Sequence, residues 1–296
     1  MLFSPPALRP GDLVAVIAPS GPLPLLEFWR GLAWVRARYR VRLLSSALTR
    51  TGYLAGDDMR RRRELTLALA HPDVKAIVAG RGGYGAMRVL EGVDLTRLAR
   101  APRWIVGFSD VTALQVAAAG VGVASIHGPN VTGLGATSPM NRAAWLKALE
   151  RPACAVEWKG LSVLHAGHSG RVGRGAVCGG NLALLEAMAA AGRWTVPDGG
   201  VLMLEDTDER PYRVDRMLTA LRLGGHLARA SAVVFGSFTR CLPGPDATTV
   251  EQVLAERTAD LGIPVLAGAP FGHGDVNHAF VLGREATVVG SDVRFA

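Results

Sequence analysis

The first half of the sequence alternates apolar, strand-like runs with segments of helical spacing, and this alternation limits the folds available to the chain. The strand-like runs are "DLVAVIAPSG", "VRLLSS", "VKAIVAGRGGYG" and "RWIVGFSD", and the segments between them are "EFWRGLAWVRARY", "MRRRRELTLALAH" and "AMRVLEGV". Fully apolar strands that alternate with helices are typical of a parallel sheet covered on both faces. We therefore predict an α/β protein with a Rossmann-like N-terminal domain over residues 1–150.

The second half resumes this alternation after a break. Residues 151–175 contain short β-like pieces separated by glycines, so we interpret them as a linker and the entry to a second domain. Beyond them, the strand-like runs "GGVLMLED" and "ASAVVFGSF" alternate with the helix-like segments "GGNLALLEAMAAAG" and "RVDRMLTALRLGG". This pattern predicts a second α/β domain over residues 176–296.

The composition is that of a globular protein, because 49% of the 296 residues are hydrophobic and 20% are charged. Cys154, Cys178 and Cys241 lie far apart with no C-x-x-C spacing, which predicts neither a disulfide framework nor a zinc ribbon. The N-terminal residues lack a signal-peptide pattern, and no apolar run is long enough to span a bilayer. We therefore expect a cytoplasmic protein with no membrane partner.

The net charge of +8 comes mostly from arginines scattered along the chain. The one basic cluster, "MRRRRE" at Met59–Glu64, follows an apparent helix start at Asp57 and Asp58. We interpret this cluster as a solvated face of a first helical turn rather than a phosphate-binding patch. Because no aromatic residues are interleaved with it, the sequence predicts no nucleic-acid partner.

Three polar loops follow strands of the predicted first sheet. They contain Pro19–Gly21, Arg81–Gly83 and Ser109–Asp110. Ligands of open parallel sheets bind outside the carboxyl ends of the strands, and these three loops lie at that edge. The alternation therefore indicates a site at the carboxyl edge of the first sheet.

Ser109 stands between an apolar strand and a helix and has two interpretations. A serine at this point often caps the helix, since its oxygen accepts a hydrogen bond from a free N–H group of the first turn. It can also be a nucleophile on a tight turn above the sheet. Gly107 favours the tight turn, but Val111 occupies the position of the second glycine in the G-x-S-x-G pattern.

A nucleophilic serine needs a base and a group that orients the base, and both residue types occur at predicted strand ends. Glu205 ends the run "GGVLMLE", and His273 lies between two glycines in the loop after "IPVLAG". Glu205 has an alternative role as the partner of Arg210 or Arg213. His127, in "SIHGPN", is a second candidate for the base.

The glycine loop "GRGGYGAMRVL", from Gly80 to Leu90, lacks the ending of a Walker loop and a dependable dinucleotide fingerprint. Its glycines instead offer unobstructed backbone N–H groups beside Ser109. One donor from Gly82 or Gly83 and one from Asp110 would form an oxyanion hole.

Metal binding is the competing chemistry for His273, Asp275 and His278, which have the spacing H-x-D-x-x-H. A further ligand and a paired helical motif such as H-E-x-x-H are missing. We therefore predict no metal site.

Seven motifs occur in order along nearly the full chain: "GDLVAVIAPSG", "GRGGYGAMRVL", "GFSDVTAL", "HGP", "GGNLALL", "LEDTDERPYRVDRMLTAL" and "GHGDVNHAFVLG". In this combination the sequence resembles the LD-carboxypeptidases, a serine peptidase family that also includes the microcin C7 self-immunity peptidases. The resemblance implies Ser109 as the nucleophile, Glu205 and His273 as its catalytic partners, and an active site at the interface of the two domains.

The resemblance further implies oxyanion donors at Gly83 and Asp110, a homodimer and no cofactor. We assign substrate binding to Arg81 and Gly82 of the glycine loop, because the carboxylate at the end of the substrate needs a cation nearby. The implied reaction releases the terminal D-alanine from a murein tetrapeptide, at an L,D bond, during peptidoglycan recycling. Arg81 would bind the terminal carboxylate, unless it pairs with an acidic residue of the second domain.

Three alternative functions remain at this point. Microcin-type peptidases would instead hydrolyse peptidyl or aminoacyl adenylate analogues. Two α/β lobes also describe a solute-binding protein, although the sequence lacks the signal peptide of a periplasmic receptor. The glycine loop leaves a nucleotide-dependent transferase as the third alternative.

Overall fold

The chain divides into two compact units in a computed structural model that describes residues 2–296, apart from the side chain of Ser169. The first unit extends to Pro152 and also includes His278–Gly283. The second unit comprises Ala153–Asn277 and Arg284–Ala296. The chain therefore passes from one unit to the other three times.

The first unit is built on a parallel sheet. Its strands are β1 (Leu13–Ile17), β2 (Arg40–Leu43), β3 (Val74–Ala79), β4 (Trp104–Gly107), β5 (Ser125–His127) and, from the late insertion, β12 (Phe280–Leu282). Its helices are α1 (Leu25–Arg36), α2 (Asp58–Ala70), α3 (Ala86–Leu90), α4 (Thr96–Arg100), α5 (Thr112–Gly120), α6 (Val131–Leu134) and α7 (Pro139–Glu150), with 3-10 turns at Ser45–Leu48 and Ser109–Val111.

The strand order in this sheet is β12-β5-β4-β3-β1-β2. The pairs among β1 to β5 are parallel, and β12 is antiparallel to β5. Strands β1, β3 and β4 are almost entirely buried because helices cover the sheet. Their alternate side chains, including Trp104 of β4, form one core with Phe28 and Trp145. The chain order reverses between β1 and β3, which is where open α/β sheets bind ligands.

The second unit contains a mixed sheet with helices. Its strands are β6 (Val156–Trp158), β7 (Ser162–Ala166), β8 (Gly173–Asn181), β9 (Gly200–Thr207), β10 (Ala230–Thr239), β11 (Pro264–Ala267), β13 (Glu285–Val289) and β14 (Asp292–Phe295). Its helices are α8 (Leu182–Ala190), α9 (Pro211–Leu223) and α10 (Val250–Thr258), with 3-10 turns at His168–Gly170 and Leu227–Arg229.

The strand order in the second sheet is β6-β14-β13-β8-β9-β10-β11-β7. Strands β8 to β11 are parallel, and the flanking strands are antiparallel. The segment 151–175, predicted as a linker, contributes β6, β7 and the start of β8 to this sheet. The predicted fold class, a parallel-sheet α/β domain followed by a second α/β domain, is confirmed.

None of the helices within residues 2–296 combines the length and the apolar character that crossing a membrane would require.

Candidate active site

The loops after β1, β3 and β4 meet at the carboxyl edge of the first sheet. The N–H group of Gly21 donates a hydrogen bond to the carbonyl of Gly82 at 3.1 Å. A Cβ atom added to Gly82 would lie 3.0 Å from the Cβ and 3.1 Å from the Oγ of Ser109. The glycine loop therefore lies directly against Ser109, and a side chain at position 82 would crowd this serine.

Ser109 has a left-handed backbone conformation, with φ = 64°. This conformation costs a non-glycine residue roughly 1–2 kcal/mol, and such strain is concentrated at functional sites. Phe108 and Val111 occupy the N-cap positions of the 3-10 turn Ser109–Val111 and of the following helix α5, so Ser109 is the capping residue of neither. Ser109 thus has the geometry of a strained turn above the sheet and not that of a helix cap.

Asp110 anchors the glycine loop through its side chain. The carboxylate accepts a hydrogen bond of 2.7 Å from the N–H group of Ala86, at the end of that loop. Burial raises the pKa of Asp110. The backbone N–H of Asp110 lies at the start of a helical turn, where N–H groups have no partner inside the helix. The side chain is structural, and the backbone is the part suited to an oxyanion.

Arg61 is fully buried and links two loops of the site. Its Nη1 donates to the carbonyls of Pro19, at 2.5 Å, and Gly85, at 2.8 Å, and its Nη2 pairs with Asp58. The interpretation of the basic cluster as a solvated face is therefore wrong for this residue. Carbonyl groups in turns need donors when they are buried, and the long guanidinium group supplies them.

Arg60 and Glu64, from the same basic cluster, also form hydrogen bonds within the fold. Arg60 donates to the Glu64 carboxylate at 3.0 Å and to the carbonyl of Ala18 at 2.9 Å. Glu64 in turn accepts from the N–H group of Ala18 at 2.8 Å. Both side chains therefore fix the turn at the end of β1. The spacing i, i+4 of this pair was a visible signal for the contact.

Gly83 and Arg81 occupy the same loop. Gly83 has φ = 111°, which favours glycine. Because the Gly82 carbonyl is bonded to Gly21 and the peptide is trans, the N–H group of Gly83 points away from Gly21. Arg81 is exposed, and its Nη1 donates to the carbonyl of Pro22 at 2.8 Å. One edge of this guanidinium is thereby held in place.

His127, the second candidate for the base, lies on β5 in the interior of the first unit. It is fully buried and stacks on Phe280 with ring centroids 5.0 Å apart. Phe108 contacts it edge-on, with a centroid distance of 6.0 Å. This environment is typical of a histidine that packs in a core.

Glu205 and His273 form a hydrogen-bonded pair in the second unit. The His273 Nδ1 and the Glu205 Oε2 lie 2.6 Å apart, with Glu205 fully buried and the His273 side chain 17% exposed. Since the carboxylate accepts, Nδ1 carries the proton and Nε2 keeps its lone pair. This is the arrangement in which a histidine acts as a base.

The alternative partners of Glu205 bind elsewhere. Arg210 donates to the carbonyls of Leu242 and Pro243, at 3.3 and 3.1 Å. Arg213 pairs with Glu209 at 3.5 Å. The sequence could not exclude these arginines because only the tertiary fold determines where their side chains extend.

The glycines beside His273 allow its loop to approach Glu205. Gly272 has φ = 111°, and an added Cβ would lie 2.9 Å from the Glu205 Cβ. On the other side, the N–H group of Gly274 donates to the Ser237 hydroxyl at 3.0 Å. The histidine loop is therefore bonded to Ser237 at Gly274 and lies close to Glu205 at Gly272.

The protonation of His273 depends on opposing effects. Burial disfavours the charged imidazolium, but the hydrogen bond to Glu205 and the charges of Glu205 and Asp206 outweigh it, so the pKa of His273 is raised. Burial and the nearby Glu205 charge raise the pKa of Asp206 to about 6. The two carboxylates therefore stabilise the imidazolium that forms when His273 accepts a proton.

Asp206 and Asn181 were not selected from the sequence. The Asp206 carboxylate accepts from Asn181 Nδ2 at 2.9 Å and from the N–H group of Ala183 at 2.9 Å. Asn181 also caps α8 by accepting from the N–H group of Leu184 at 3.2 Å. The "GGN" motif thus holds the end of β9 that carries Glu205.

Asp208 and Arg240 form an exposed ion pair near the His273 loop. Both residues have a left-handed backbone conformation, with φ = 61° at Asp208 and 57° at Arg240. Arg240 donates through Nε to Oδ1 and through Nη2 to Oδ2 of Asp208, each at 2.6 Å. No sequence signal indicated this pair, because positive φ values at Asp and Arg cannot be predicted from residue type alone.

The predicted site residues are thus grouped within each unit. Ser109, Asp110 and Gly82 are adjacent in the first unit, and Glu205 and His273 are bonded in the second. Across residues 2–296, no group of three or more His, Cys, Asp or Glu side chains is arranged to hold a metal ion. His273, Asp275 and His278 therefore do not form such a group in the described structure.

Comparison with known proteins identifies the family. Residues 14–128 match the LD-carboxypeptidase N-terminal domain, and residues 174–288 match the LD-carboxypeptidase C-terminal domain. A putative carboxypeptidase of Synechocystis is 38% identical, with 97% of this chain and 95% of the relative covered. The chain belongs to the LD-carboxypeptidase family. It is therefore a serine carboxypeptidase.

Two further LD-carboxypeptidase relatives carry names that describe a murein substrate. The murein tetrapeptide carboxypeptidase of Pseudomonas aeruginosa is 36% identical over 88% of this chain and 83% of its own. The crystal structure of muramoyltetrapeptide carboxypeptidase from Oxalobacter formigenes superimposes with a TM-score of 0.85 at 29% identity, covering 96% of this chain and 98% of the other.

The microcin C7 self-immunity protein MccF shares the fold. Its complex with aspartyl sulfamoyl adenosine gives a TM-score of 0.85 at 20% identity and covers 100% of this chain and 98% of the other. At this identity the likeness concerns the architecture alone.

Proposed function

We propose that this LD-carboxypeptidase releases the terminal D-alanine from a murein tetrapeptide, at the L,D bond, in peptidoglycan recycling. The observation that carries the proposal is the left-handed Ser109, placed against the glycine loop with its hydroxyl unused as a helix cap. The names of the Pseudomonas and Oxalobacter relatives support the choice of substrate.

The proposed reaction proceeds through an acyl-enzyme. The Ser109 Oγ attacks the carbonyl carbon of the L,D bond while the Nε2 of His273 takes the hydroxyl proton. His273 then donates this proton to the nitrogen of D-alanine as the C–N bond breaks. A water molecule, activated by the same imidazole, hydrolyses the ester and restores Ser109.

Glu205 keeps His273 in the productive tautomer and stabilises the imidazolium. The backbone N–H groups of Gly83 and Asp110 bind the oxyanion of each tetrahedral intermediate, a contribution of about 3 kcal/mol per donor. Gly82 and Arg81 bind the substrate, with the exposed guanidinium of Arg81 receiving the terminal carboxylate.

The mechanism requires Ser109 of the first unit and His273 of the second, so we propose that the active site lies at the interface of the two domains. The chain connectivity supports the proposal. Only four residues separate His273 from His278, where the chain enters the first unit to form β12 beside β5. His273 and strand β12 are thus close neighbours in the sequence.

We further propose a cytoplasmic homodimer that works without a cofactor. Light scattering of the purified protein tests the dimer, and cell fractionation tests the location. A monomer, or a protein found outside the cytoplasm, would remove the corresponding part of the proposal.

The deciding experiment incubates the purified protein with a murein tetrapeptide and measures free D-alanine by mass spectrometry. We expect release by the wild type and, for Ser109→Ala, a rate reduced by about 10⁶-fold, as when a catalytic serine is removed. In the same assay Arg81→Ala should raise KM, and an unchanged KM would remove Arg81 from the substrate site. Equal release by wild type and Ser109→Ala would exclude Ser109 as the nucleophile.

The same protein preparation is then tested against aspartyl sulfamoyl adenosine, the ligand in one MccF complex. Turnover of this compound with no release of D-alanine would favour the adenylate analogues as substrates and overturn the murein proposal.

A further inference from the structure

The Asp208–Arg240 pair has a geometry that its contribution to stability does not explain. Its side chains are 59% and 61% exposed, and ion pairs with such exposure contribute little to folding. Both residues nevertheless have left-handed backbones, which are costly for an arginine. Unfavourable backbone conformations of this kind are concentrated at functional sites.

Backbone contacts hold this pair in place. The N–H group of Asp208 donates to the carbonyl of Thr239 at 2.9 Å, so the ends of β9 and β10 remain joined beyond the sheet. The Nη2 of Arg240 also donates to the Thr207 hydroxyl at 3.2 Å. Two charged groups are thus fixed side by side in solvent before any ligand binds.

The pair also lies beside the loop that carries His273. The Gly274 N–H group donates to Ser237, and a Cβ added to Gly274 would lie 3.9 Å from the Thr239 hydroxyl. Arg240 follows Thr239 directly in the chain. The imidazole and the ion pair are therefore neighbours within the second unit.

Both charged groups keep free hydrogen-bonding capacity. In the described part of the chain, Arg240 uses Nε and Nη2 and leaves the hydrogens of Nη1 for another acceptor. The Asp208 carboxylate is more than half exposed. Its Oδ2 accepts from Arg240 and contacts the Thr207 hydroxyl at 3.4 Å, whereas its Oδ1 accepts from Arg240 Nε and has a further lone pair. A carboxylate can thus bind Arg240 while an ammonium group binds Asp208.

We propose that Asp208 and Arg240 form a subsite for a zwitterionic amino-acid group, namely the side-chain end of a diaminopimelyl residue in the peptide substrate. This inference rests on the proposed function and specifies its substrate. The diamino residue supplies the carbonyl that reacts, so the end of its side chain must bind close to His273. Diaminopimelate ends in a carboxylate and an ammonium on one carbon, whereas lysine ends in an ammonium alone.

The test compares two tetrapeptides that differ only in carrying meso-diaminopimelate or lysine at the third position. We expect the wild type to favour the diaminopimelyl peptide in kcat/KM by about tenfold, the factor that one charge-assisted hydrogen bond provides. Arg240→Gly removes the guanidinium and relieves the backbone strain. This variant should lose the preference through a higher KM for the diaminopimelyl peptide. Because the charge of Arg240 lowers the pKa of His273, kcat is compared on the alkaline plateau of the pH profile, where it should be unchanged.

A matched control exists in the same unit. Arg222 and Asp260 also form a bidentate pair, with both contacts at 2.7 Å, but neither residue has a positive φ value. Arg222→Gly should preserve the wild-type preference between the two peptides. Equal kcat/KM of the wild type for both peptides, or an unchanged preference in Arg240→Gly, would overturn the subsite.

A binding measurement separates this inference from the proposed function. Calorimetry with the Ser109→Ala protein reports the affinity for each peptide without turnover. If the wild type cleaves neither peptide, the proposed function fails. Equal affinities of Ser109→Ala for the two peptides would overturn the subsite, whatever the result of the cleavage assay. Tighter binding of the diaminopimelyl peptide, lost when Arg240→Gly is added, would support the subsite.

Discussion

The proton affinity of His273 illustrates how single residues control the candidate site. Burial opposes the imidazolium, whereas the hydrogen bond and charge of Glu205 favour it, and the net effect raises the pKa of His273. A general base works in its neutral form. Activity should therefore rise with pH through a midpoint above 6.5, the ordinary value for histidine.

Glu205→Gln keeps the size of this side chain and removes its charge. Burial then dominates, so the pKa of His273 falls and the acidic limb of the kcat/KM profile moves to lower pH. We also expect kcat to fall by about 10⁴-fold, because glutamine can hold the imidazole in the wrong tautomer.

Steady-state kinetics between pH 5 and 9 measure both effects of Glu205→Gln. Asp260→Asn, an exposed carboxylate of the same unit, is the control that should leave the profile unchanged. An acidic limb that stays in place or moves to higher pH would contradict the role of Glu205.

At the scale of elements, the site depends on how closely loops approach one another. The glycine loop reaches Ser109 because Gly82 has no side chain, and Asp110 and Arg61 hold the far end of that loop at Ala86 and Gly85. Buried side chains on α2 and after β4 thus fix a loop that itself contains few packing groups. We expect these contacts to hold the predicted oxyanion donors in place.

Gly82→Ala tests this close approach. The φ value of Gly82 is not in the left-handed region, so alanine introduces a steric conflict with Ser109 and no backbone strain. We expect kcat to fall by about 10²-fold, because misplacing the reacting groups by up to about 1 Å has an effect of that size. The melting temperature should change little.

Gly120→Ala provides the control for this substitution, since a Cβ at Gly120 meets no atom within 4 Å. It should leave kcat unchanged in the same assay. Wild-type kcat in Gly82→Ala would show that the glycine loop does not need to lie against the serine.

At the scale of the whole molecule, the two units are intertwined along the sequence. Strand β12 comes from the late segment His278–Gly283 yet pairs with β5 in the first sheet. There Phe280 stacks on the buried His127, and Val281 pairs with Ile126, which is also fully buried. The first unit is therefore incomplete without residues that follow almost the entire second unit.

The fragment 1–152 is consequently predicted to be unstable. Loss of β12 exposes the edge of β5 and its apolar face, and an unpaired edge promotes association. We expect no cooperative thermal transition by circular dichroism. The same fragment followed by a flexible linker and residues 278–283 should regain the transition, and cooperative folding of the unlinked fragment would refute the prediction.

The sequence by itself determined the fold class and most of the candidate residues. Apolar runs of strand length alternating with helical periods require a covered parallel sheet, because that arrangement buries both faces of each strand. Polar residues at the ends of those runs then identified Ser109, Glu205 and His273. The resemblance to a family followed from motifs that the same strand ends carry.

The tertiary structure decided the contacts between distant segments. It paired His273 with Glu205 instead of leaving Glu205 to Arg210 or Arg213, and it buried Arg61 where the sequence indicated a solvated arginine. It also gave Ser109 its left-handed backbone. A linear pattern records the hydrophobicity of each residue, whereas the partner of a long charged side chain depends on which loops the fold brings within its reach.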